Sequence, residues 1–448
     1  MKGMIGLEIH TYITTKEKLF CRCAASRERG LKENVNVCPI CTAQPGAKPL
    51  APNSEAVRKA IMLGLMLGCK INSKVKWMRK HYDWPDLPKG YQTTQSGAHS
   101  IPLGVNGEFN GIRISSMHLE EDPASWEPKT GQVDYNRSGL PLVEIVTSPD
   151  FKFAQEVGEW LKKLVHALSY LKIVESDAGV KVDVNVNIPG KTQRVEVKNI
   201  NSIENVETAI EYELERQSKE GSVRETRRFD ETNGKTLSMR KKEAQDDYKF
   251  IADPDLNEIN ISNHLVEKIK KDIPELPEVK LEKLVKKFKI NEGDAKVLAV
   301  NLDIVEFFER VAGKIDARFA LPWITVELLR VLNWNKKRLH EVDIKAEHFI
   351  TLLNLVKSKR ITELQAKQII NKFVPKSFDP SKAEGKIDDE AELKMVIGVV
   401  IKKNKKAVDD YKSGDLKALN FLMGEVMKET DRRADYKITL GILKKMLK

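Results

Sequence analysis

Two sets of side chains in this sequence have types and spacings that could do chemistry. The first is four cysteines, Cys21-x-Cys23 and, after fourteen residues, Cys38-Pro39-Ile40-Cys41. Two close thiolate pairs joined by a loop can complete the tetrahedral shell of Zn²⁺, and "VCPIC" has the two-residue knuckle common in structural sites. A closed shell of four cysteines leaves no position for substrate, so it would hold the fold and do no chemistry. Unrelated buried or redox thiols are the alternative. The second set is acidic: "MHLEED" gathers His118, Glu120, Glu121 and Asp122, and "MIGLEIH" adds Glu8 and His10. Carboxylates with a histidine at strand ends suit a hard divalent cation, and Mg²⁺ takes carboxylate oxygens while leaving room for waters and phosphates. A structural Ca²⁺ site or a plain acidic edge would use the same residues.

Cations lie nearby in the chain. "KHYDWPDLPKGYQ" sets Lys80 and Lys89 in a proline-rigid aromatic segment with Asp83 and Asp86, the composition of an ordered functional loop. "TRRFDE" and "SMRKKEAQDDYKF" add Arg227, Arg228, Arg240 and Lys241. Acids that hold Mg²⁺ beside cations that hold phosphate oxygens are what phosphoryl transfer needs, because its catalysis is mostly positioning and charge neutralisation. Solvated surface charge is the plain reading of each cation taken singly. Neither G-x-x-x-x-G-K-[ST] nor G-x-G-x-x-G occurs, which excludes a P-loop or kinase-type nucleotide site.

These residues need strands to carry them. "VKVDVNVNI" alternates Val180, Val182, Val184, Val186 and Ile188 with Lys181, Asp183, Asn185 and Asn187, one face core and the other polar. "RVEVKNI" repeats the pattern with Glu196 and Lys198, and "PGKTQ" between them reads as a hairpin connection. A solvated sheet face is the bland reading of that pair. "MIGLEIH" is a third strand, with Glu8 and His10 sharing a face, and "GIRISSMHLEE" a fourth, with His118 and Glu120 on one face. "FKFAQEVGEWLKKLVHAL" spaces Phe153, Val157, Trp160, Leu161, Leu164, Val165 and Leu168 as a helix laid against a sheet. Cys69 reads as a small core hydrophobe.

Beyond the proline-spaced "DIPELPEVK" almost everything reads as helix, including "LKALNFLMGEVMKE", whose Leu419, Leu422, Met423, Val426 and Met427 form a core-facing stripe. At 448 residues there is room for two or three domains. Net charge +11 points to a polyanionic partner or to a merely soluble basic protein, and Lys402, Lys403, Lys405, Lys406, Lys444, Lys445 and Lys448 make the end of the chain basic. No apolar run approaches the ~20 residues of a membrane span and no secretory pattern opens the chain, so no membrane role and a cytoplasmic location are expected.

Taken in order, "GLEIH", "LFCRC…NVCPIC", "YDWPDLPKGYQ", "HLEED", "DYNRSGLPLVEIVTSPD", "VEVKNINSI" and "TRRFDE…SMRKKE" resemble the B subunits of the tRNA-dependent amidotransferases. Those enzymes convert Glu-tRNA(Gln) to Gln-tRNA(Gln) or Asp-tRNA(Asn) to Asn-tRNA(Asn), and the resemblance covers essentially the whole chain. It implies an α+β architecture: a cradle built on an antiparallel sheet with flanking helices over 1–292, then an all-α region. That region would be a helical domain over 293–380 and a tRNA-binding tail over 381–448, the two together YqeY-like. It implies ATP and Mg²⁺ as cofactors, with Glu8, His10, Glu120 and Glu121 as Mg²⁺ ligands and Lys80 and Lys89 in the phosphate and channel region. Cys21, Cys23, Cys38 and Cys41 match the family's structural Zn²⁺ site, and Asp183, Glu196, Lys198 and Arg240 fall in its cofactor-binding wall. The implied partners are an amidase A subunit that supplies ammonia, a small C subunit and the misacylated tRNA. A non-catalytic zinc-stabilised scaffold and an ATP-dependent carboxylate–amine ligase for a small molecule are the rival readings. This chain departs from the family pattern after "HLEED", where Pro123-Ala124-Ser125 stands in place of the usual Ala-Gly-Lys and removes a lysine beside the site.

Overall fold

Alternation along the Met4–Tyr12 strand turns Ile5, Leu7 and Ile9 into the core and leaves Glu8 and His10 on the opposite face. The computed structural model describes residues 2–28, 30–174, 180–241 and 248–447, apart from the side chains of Asn199, Arg240 and Lys241. In it this strand is the middle of a nine-stranded sheet. The order runs Lys235–Lys241, Glu225–Asp230, Val195–Ile200, Lys181–Asn187, Met4–Tyr12, Pro141–Thr147, Ile112–Glu121, Gly104–Phe109, Lys70–Ile71. Neighbours are antiparallel except Val195–Ile200 and Glu225–Asp230, which run parallel because the Ile203–Glu220 helix crosses over between them. The chain divides into two compact units, Met1–Glu275 and Leu276–Lys448.

Register converts the period of two into a continuous polar row. His10 lies opposite Glu144 on one side and Lys181 on the other, Glu144 lies opposite His118, and Glu8 lies opposite Asp183. A slip of one residue would turn all of them into the core. The other face is apolar, with Val143, Ile145, Met117, Leu119, Val182, Val184 and Val186 buried. Helices Ser54–Met66, Ala154–Leu171 and Ile203–Glu220 belong to this core; Asn53 and Ser202 cap the first and third by accepting backbone N–H groups. Two residues expected on the buried stripe of the second, Phe153 and Val165, are instead exposed. Phe153 precedes the helix as its N-cap, and Val165 stands one residue, hence ~100°, around from Leu164.

A second, three-stranded sheet, Lys249–Ala252, Met78–His81 and Tyr91–Thr94, abuts the end of the Ile112–Glu121 strand. Pairing with Gly104–Phe109 stops at Met117, which would leave the Leu119 peptide groups bare on that edge. They are met by side chains: the Leu119 N–H donates to Gln95 Oε1 at 2.9 Å, and Trp77 Nε1 donates to the Leu119 carbonyl at 2.8 Å.

The second unit is helical, from Pro277–Phe288 to Tyr436–Leu447. Its apolar stripes bury into two clusters, one from Leu284 to Phe373 and one from Ile387 to Leu447 that includes Leu419, Leu422, Met423, Val426 and Met427. Lys402, Lys403, Lys405, Lys406, Lys444 and Lys445 are exposed, and Lys448 lies outside the described residues. No helix among the described residues is long and apolar enough to cross a membrane.

Candidate active site

The polar face of the nine-stranded sheet holds two groups of three ligand-type side chains, and each group could hold a metal ion. His10, Glu120 and Glu144 form one and Glu8, Asp183 and Glu196 the other; within each, one donor atom per residue lies within 4.8 Å of the others. In the first, Glu144 bridges two histidines: His118 Nδ1 is 2.9 Å from its Oε1 and His10 Nε2 is 3.4 Å from its Oε2. Glu120 accepts hydrogen bonds from Thr94 Oγ1 and, at 3.1 Å, from Gln92 Nε2. In the second, Lys198 Nζ donates to Asp183 Oδ2 at 2.9 Å and lies 2.7 Å from Glu196 Oε1, while Asn185 Nδ2 donates to Glu8 Oε1 at 3.0 Å.

The electrostatics follow from burying this much charge. Burial, then the charges of Glu144 and Glu196, push the Glu8 carboxyl above its usual range against Lys198. Burial and the Glu144 charge likewise raise Glu120. Burial disfavours the His10 imidazolium, but the hydrogen bond and charge of Glu144, with Asp183 and Glu120, overrule it and lift the group to about 9. His118 moves up for the same reasons, and Glu144, although buried, is held well below the carboxylate range by the two histidines. Three acids in an all-oxygen group, already drawing in the Lys198 ammonium, have the donor chemistry of a Mg²⁺ site; the mixed group adds one imidazole.

Glu121 joins neither group. It alternates with Glu120 along the strand, so its carboxylate pairs instead with Lys89 Nζ and accepts the Thr93 N–H at 3.2 Å. Lys80 has its ammonium 4.8 Å from the Tyr248 ring centre and 5.9 Å from that of Tyr82, with no carboxylate within 4.0 Å among the described residues. Arg240 sits on the Lys235–Lys241 strand, its side chain outside the described residues. The Pro123-Ala124-Ser125 departure is pinned rather than loose. The Ala124 N–H donates to Asp86 O at 2.8 Å, and Arg137 donates to the Pro123 and Ala124 carbonyls at 3.0 and 2.6 Å.

The four cysteines converge as well. Cys41 Sγ lies 3.9 Å from both Cys23 Sγ and Cys38 Sγ, and all four sulfurs lie within 4.8 Å of one another. A tetrahedron with Zn–S bonds of ~2.3 Å has edges of ~3.8 Å, so the residues fit zinc. The hydrogen bond with Cys21, against burial, draws the Cys41 thiol down to about 5, helped by the Cys38 N–H at 3.2 Å and by Lys18. These surroundings favour the thiolate at Cys41. Cys69 is buried, with its thiol pushed up to about 11 by that burial, as expected of a core residue.

Glu144 is the residue that sequence reasoning did not assign to the site. The signal was present in "PLVEIV", where one acid interrupts an otherwise apolar strand. Gln92 and Thr94 carried no such signal, since what brings them to Glu120 is the packing of the second sheet on a strand edge.

Comparison with known proteins identifies the family. Residues 3–267 match the family model described as the GatB/GatE catalytic domain, and residues 306–447 match that described as the GatB domain. A protein of Methanocaldococcus jannaschii, named as the B subunit of an aspartyl/glutamyl-tRNA(Asn/Gln) amidotransferase, is 45% identical, covering 100% of this chain and 98% of its own. Proteins of the same name from Methanothermobacter thermautotrophicus and Methanopyrus kandleri are each 41% identical over 99% of this chain, and over 99% and 98% of their own.

Proposed function

The chain belongs to the GatB/GatE family of amidotransferase B subunits, and from that premise we propose that its sheet unit first phosphorylates and then amidates the side-chain carboxylate of Glu-tRNA(Gln), Asp-tRNA(Asn) or both. In the first step a substrate carboxylate oxygen attacks the γ-phosphorus of ATP and ADP leaves. In the second, ammonia attacks the acyl carbon, phosphate departs with the bonding pair, and the nitrogen loses a proton to give the amide. The observation that carries this reading is the pair of three-residue groups on one sheet face, His10 with Glu120 and Glu144 and Glu8 with Asp183 and Glu196.

These residues would hold Mg²⁺, which when bound supplies charge neutralisation for phosphate oxygens. The chain's own residues then set the stage. Gln92 and Thr94 fix the Glu120 carboxylate, and Asn185 and Lys198 fix the second group. Lys80, whose ammonium sits beside aromatic faces, is suited to take a phosphate oxygen, and Lys89 with Glu121 steadies the strand that carries Gln92 and Thr94. The four-cysteine centre is proposed as structural zinc. An amidase A subunit would supply ammonia, a small C subunit would complete the assembly, and the exposed lysines of the last helices would meet the tRNA, in the cytoplasm. A zinc-stabilised scaffold and a small-molecule ligase are not favoured, since the match to B subunits runs through both units and the carboxylate face is intact.

The test combines the purified chain, its A and C partners, Mg²⁺-ATP and misacylated tRNA, and follows phosphate release and amide formation. Phosphate release that requires the misacylated tRNA, with amide formed from free ammonia in the absence of the A subunit, is the expected result. Phosphate release indifferent to the tRNA would overturn the proposal.

A further inference from the structure

We propose that Lys18 is the charge partner of a metal-bound Cys41 thiolate, a positioning residue built into the four-cysteine centre. The inference rests on the zinc reading above and goes beyond the four ligands. Lys18 is 1% exposed, one of the largest fully buried side chains in the molecule. Its ammonium has three N–H groups and three acceptors: the Asn36 carbonyl at 2.8 Å, the Tyr135 carbonyl at 3.1 Å and Cys41 Sγ at 3.6 Å. No carboxylate lies within 4.0 Å of it among the described residues, unlike Lys198 on the polar face or Lys89 beside Glu121.

A buried ammonium needs a counter-charge as well as hydrogen bonds, and two neutral carbonyls orient it without supplying one. The sulfur supplies it. Four thiolates around Zn²⁺ make a doubly negative centre, so an N–H donated to one sulfur offsets part of that charge and fixes the sulfur's direction, as partners behind metal ligands commonly do. The setting is specific to this lysine. Its backbone N–H donates to Cys23 O at 3.0 Å, placing it inside the first cysteine loop. Asn36 belongs to the loop that ends at Cys38, and Tyr135 to the turn in which Ser138 Oγ donates to Cys41 O at 2.8 Å. Gly139 closes that turn at φ +84°, a conformation that favours glycine, and lies over the Lys18 stem. Lys18 therefore ties the cysteine loops to the segment whose Arg137 grips Asp122, at the end of the acidic strand.

The experiment compares the full chain with Lys18→Gln, which keeps amide donors and loses the charge, and Lys18→Arg, which keeps the charge and changes the donor. Zinc content, zinc release to a chromophoric chelator and the thiolate-to-metal charge-transfer band of the Co²⁺-substituted protein are measured. Lys18→Gln is expected to release zinc roughly 10- to 100-fold faster and to move the cobalt band, because the electrons on Cys41 are no longer held by a charged N–H. An unmoved band in that variant would overturn the proposal whether or not release is faster, for a lysine that only ties the loops together would change release without touching the electrons on Cys41. If Lys18→Gln does not fold, Lys18→Arg carries the test: near-wild-type release with a shifted band supports the proposal, and an unshifted band overturns it. A wild-type chain that takes up neither zinc nor cobalt would instead overturn the metal reading itself, and this inference with it.

Discussion

The two candidate metal centres of the sheet unit are built in opposite ways. The cysteines come from loops close in sequence, Cys21 to Cys41, and pack four sulfurs into a closed shell. The carboxylates come from strands as far apart as Glu8 and Glu196 and project from one face of a pre-formed sheet. The first site shapes the chain around itself; in the second the chain is already shaped and the acids are held there at a cost. That cost is visible in Glu8 and Glu120, whose carboxyls burial pushes toward the neutral form. A centre that holds the fold is expected to fail by unfolding, and one that does chemistry by loss of rate with the fold intact.

The sharpest way to break this contrast is Cys41→Ser. Loss of one sulfur should abolish zinc retention and lower stability by on the order of 3 kcal/mol, roughly 5 °C in the melting midpoint for a unit of this size. Chelator treatment of the wild type should reproduce the drop, and turnover should fall only as far as folded protein is lost. A variant that melts like the wild type while losing activity would reverse the roles assigned to the two centres.

The counterpart is Glu8→Gln. The amide oxygen can still accept from Asn185, so the local geometry survives while one charge leaves the cluster. tRNA-dependent phosphate release should fall about 100-fold or more, the scale of losing one charged group from a phosphoryl-transfer site. In metal-free protein the melting midpoint should hold or rise, because burial and the charges of Glu144 and Glu196 oppose an ionised Glu8. Normal turnover, or a large drop in melting midpoint, would sink the assignment.

The same contrast explains what the sequence disclosed. The cysteine centre was legible because its ligands are local and of one reactive type, so spacing alone implied convergence. The sheet was legible strand by strand, since Val182, Val184 and Val186 or Ile5, Leu7 and Ile9 all fall on one face and their alternate neighbours on the other. Strand order was not: nothing in "PLVEIV" says that it pairs with Met4–Tyr12 and brings Glu144 between His10 and His118. Side-chain direction at a strand end was equally hidden, and Glu121, adjacent to Glu120 in sequence, turned to Lys89 because the alternation persists to the strand's last residue. Long-range register and the docking of the second sheet are cooperative properties of the folded unit, and no local window of residues encodes them.

The smallest effect is the most discriminating for the carboxylate site, because it reads the cluster without a substrate. In chelated protein the His10 imidazole is lifted from 6.5 to about 9, the hydrogen bond and charge of Glu144 outweighing burial. A group whose folded-state pKa is raised contributes stability that is complete below its unfolded pKa. That stability is lost as pH rises through the folded value. The folded chain should therefore lose on the order of 2–3 kcal/mol between about pH 6.5 and pH 9, a loss shared with His118 through their common partner. Urea unfolding across that window measures it, and His10→Gln should flatten the slope. A bound divalent cation should flatten it too, since a ligating imidazole must be neutral and the ion then takes the place of the proton. If Mg²⁺ or Mn²⁺ leaves the slope of the wild type unchanged, His10 and Glu144 form an ion pair that no metal enters, and the cation belongs to Glu8, Asp183 and Glu196 alone.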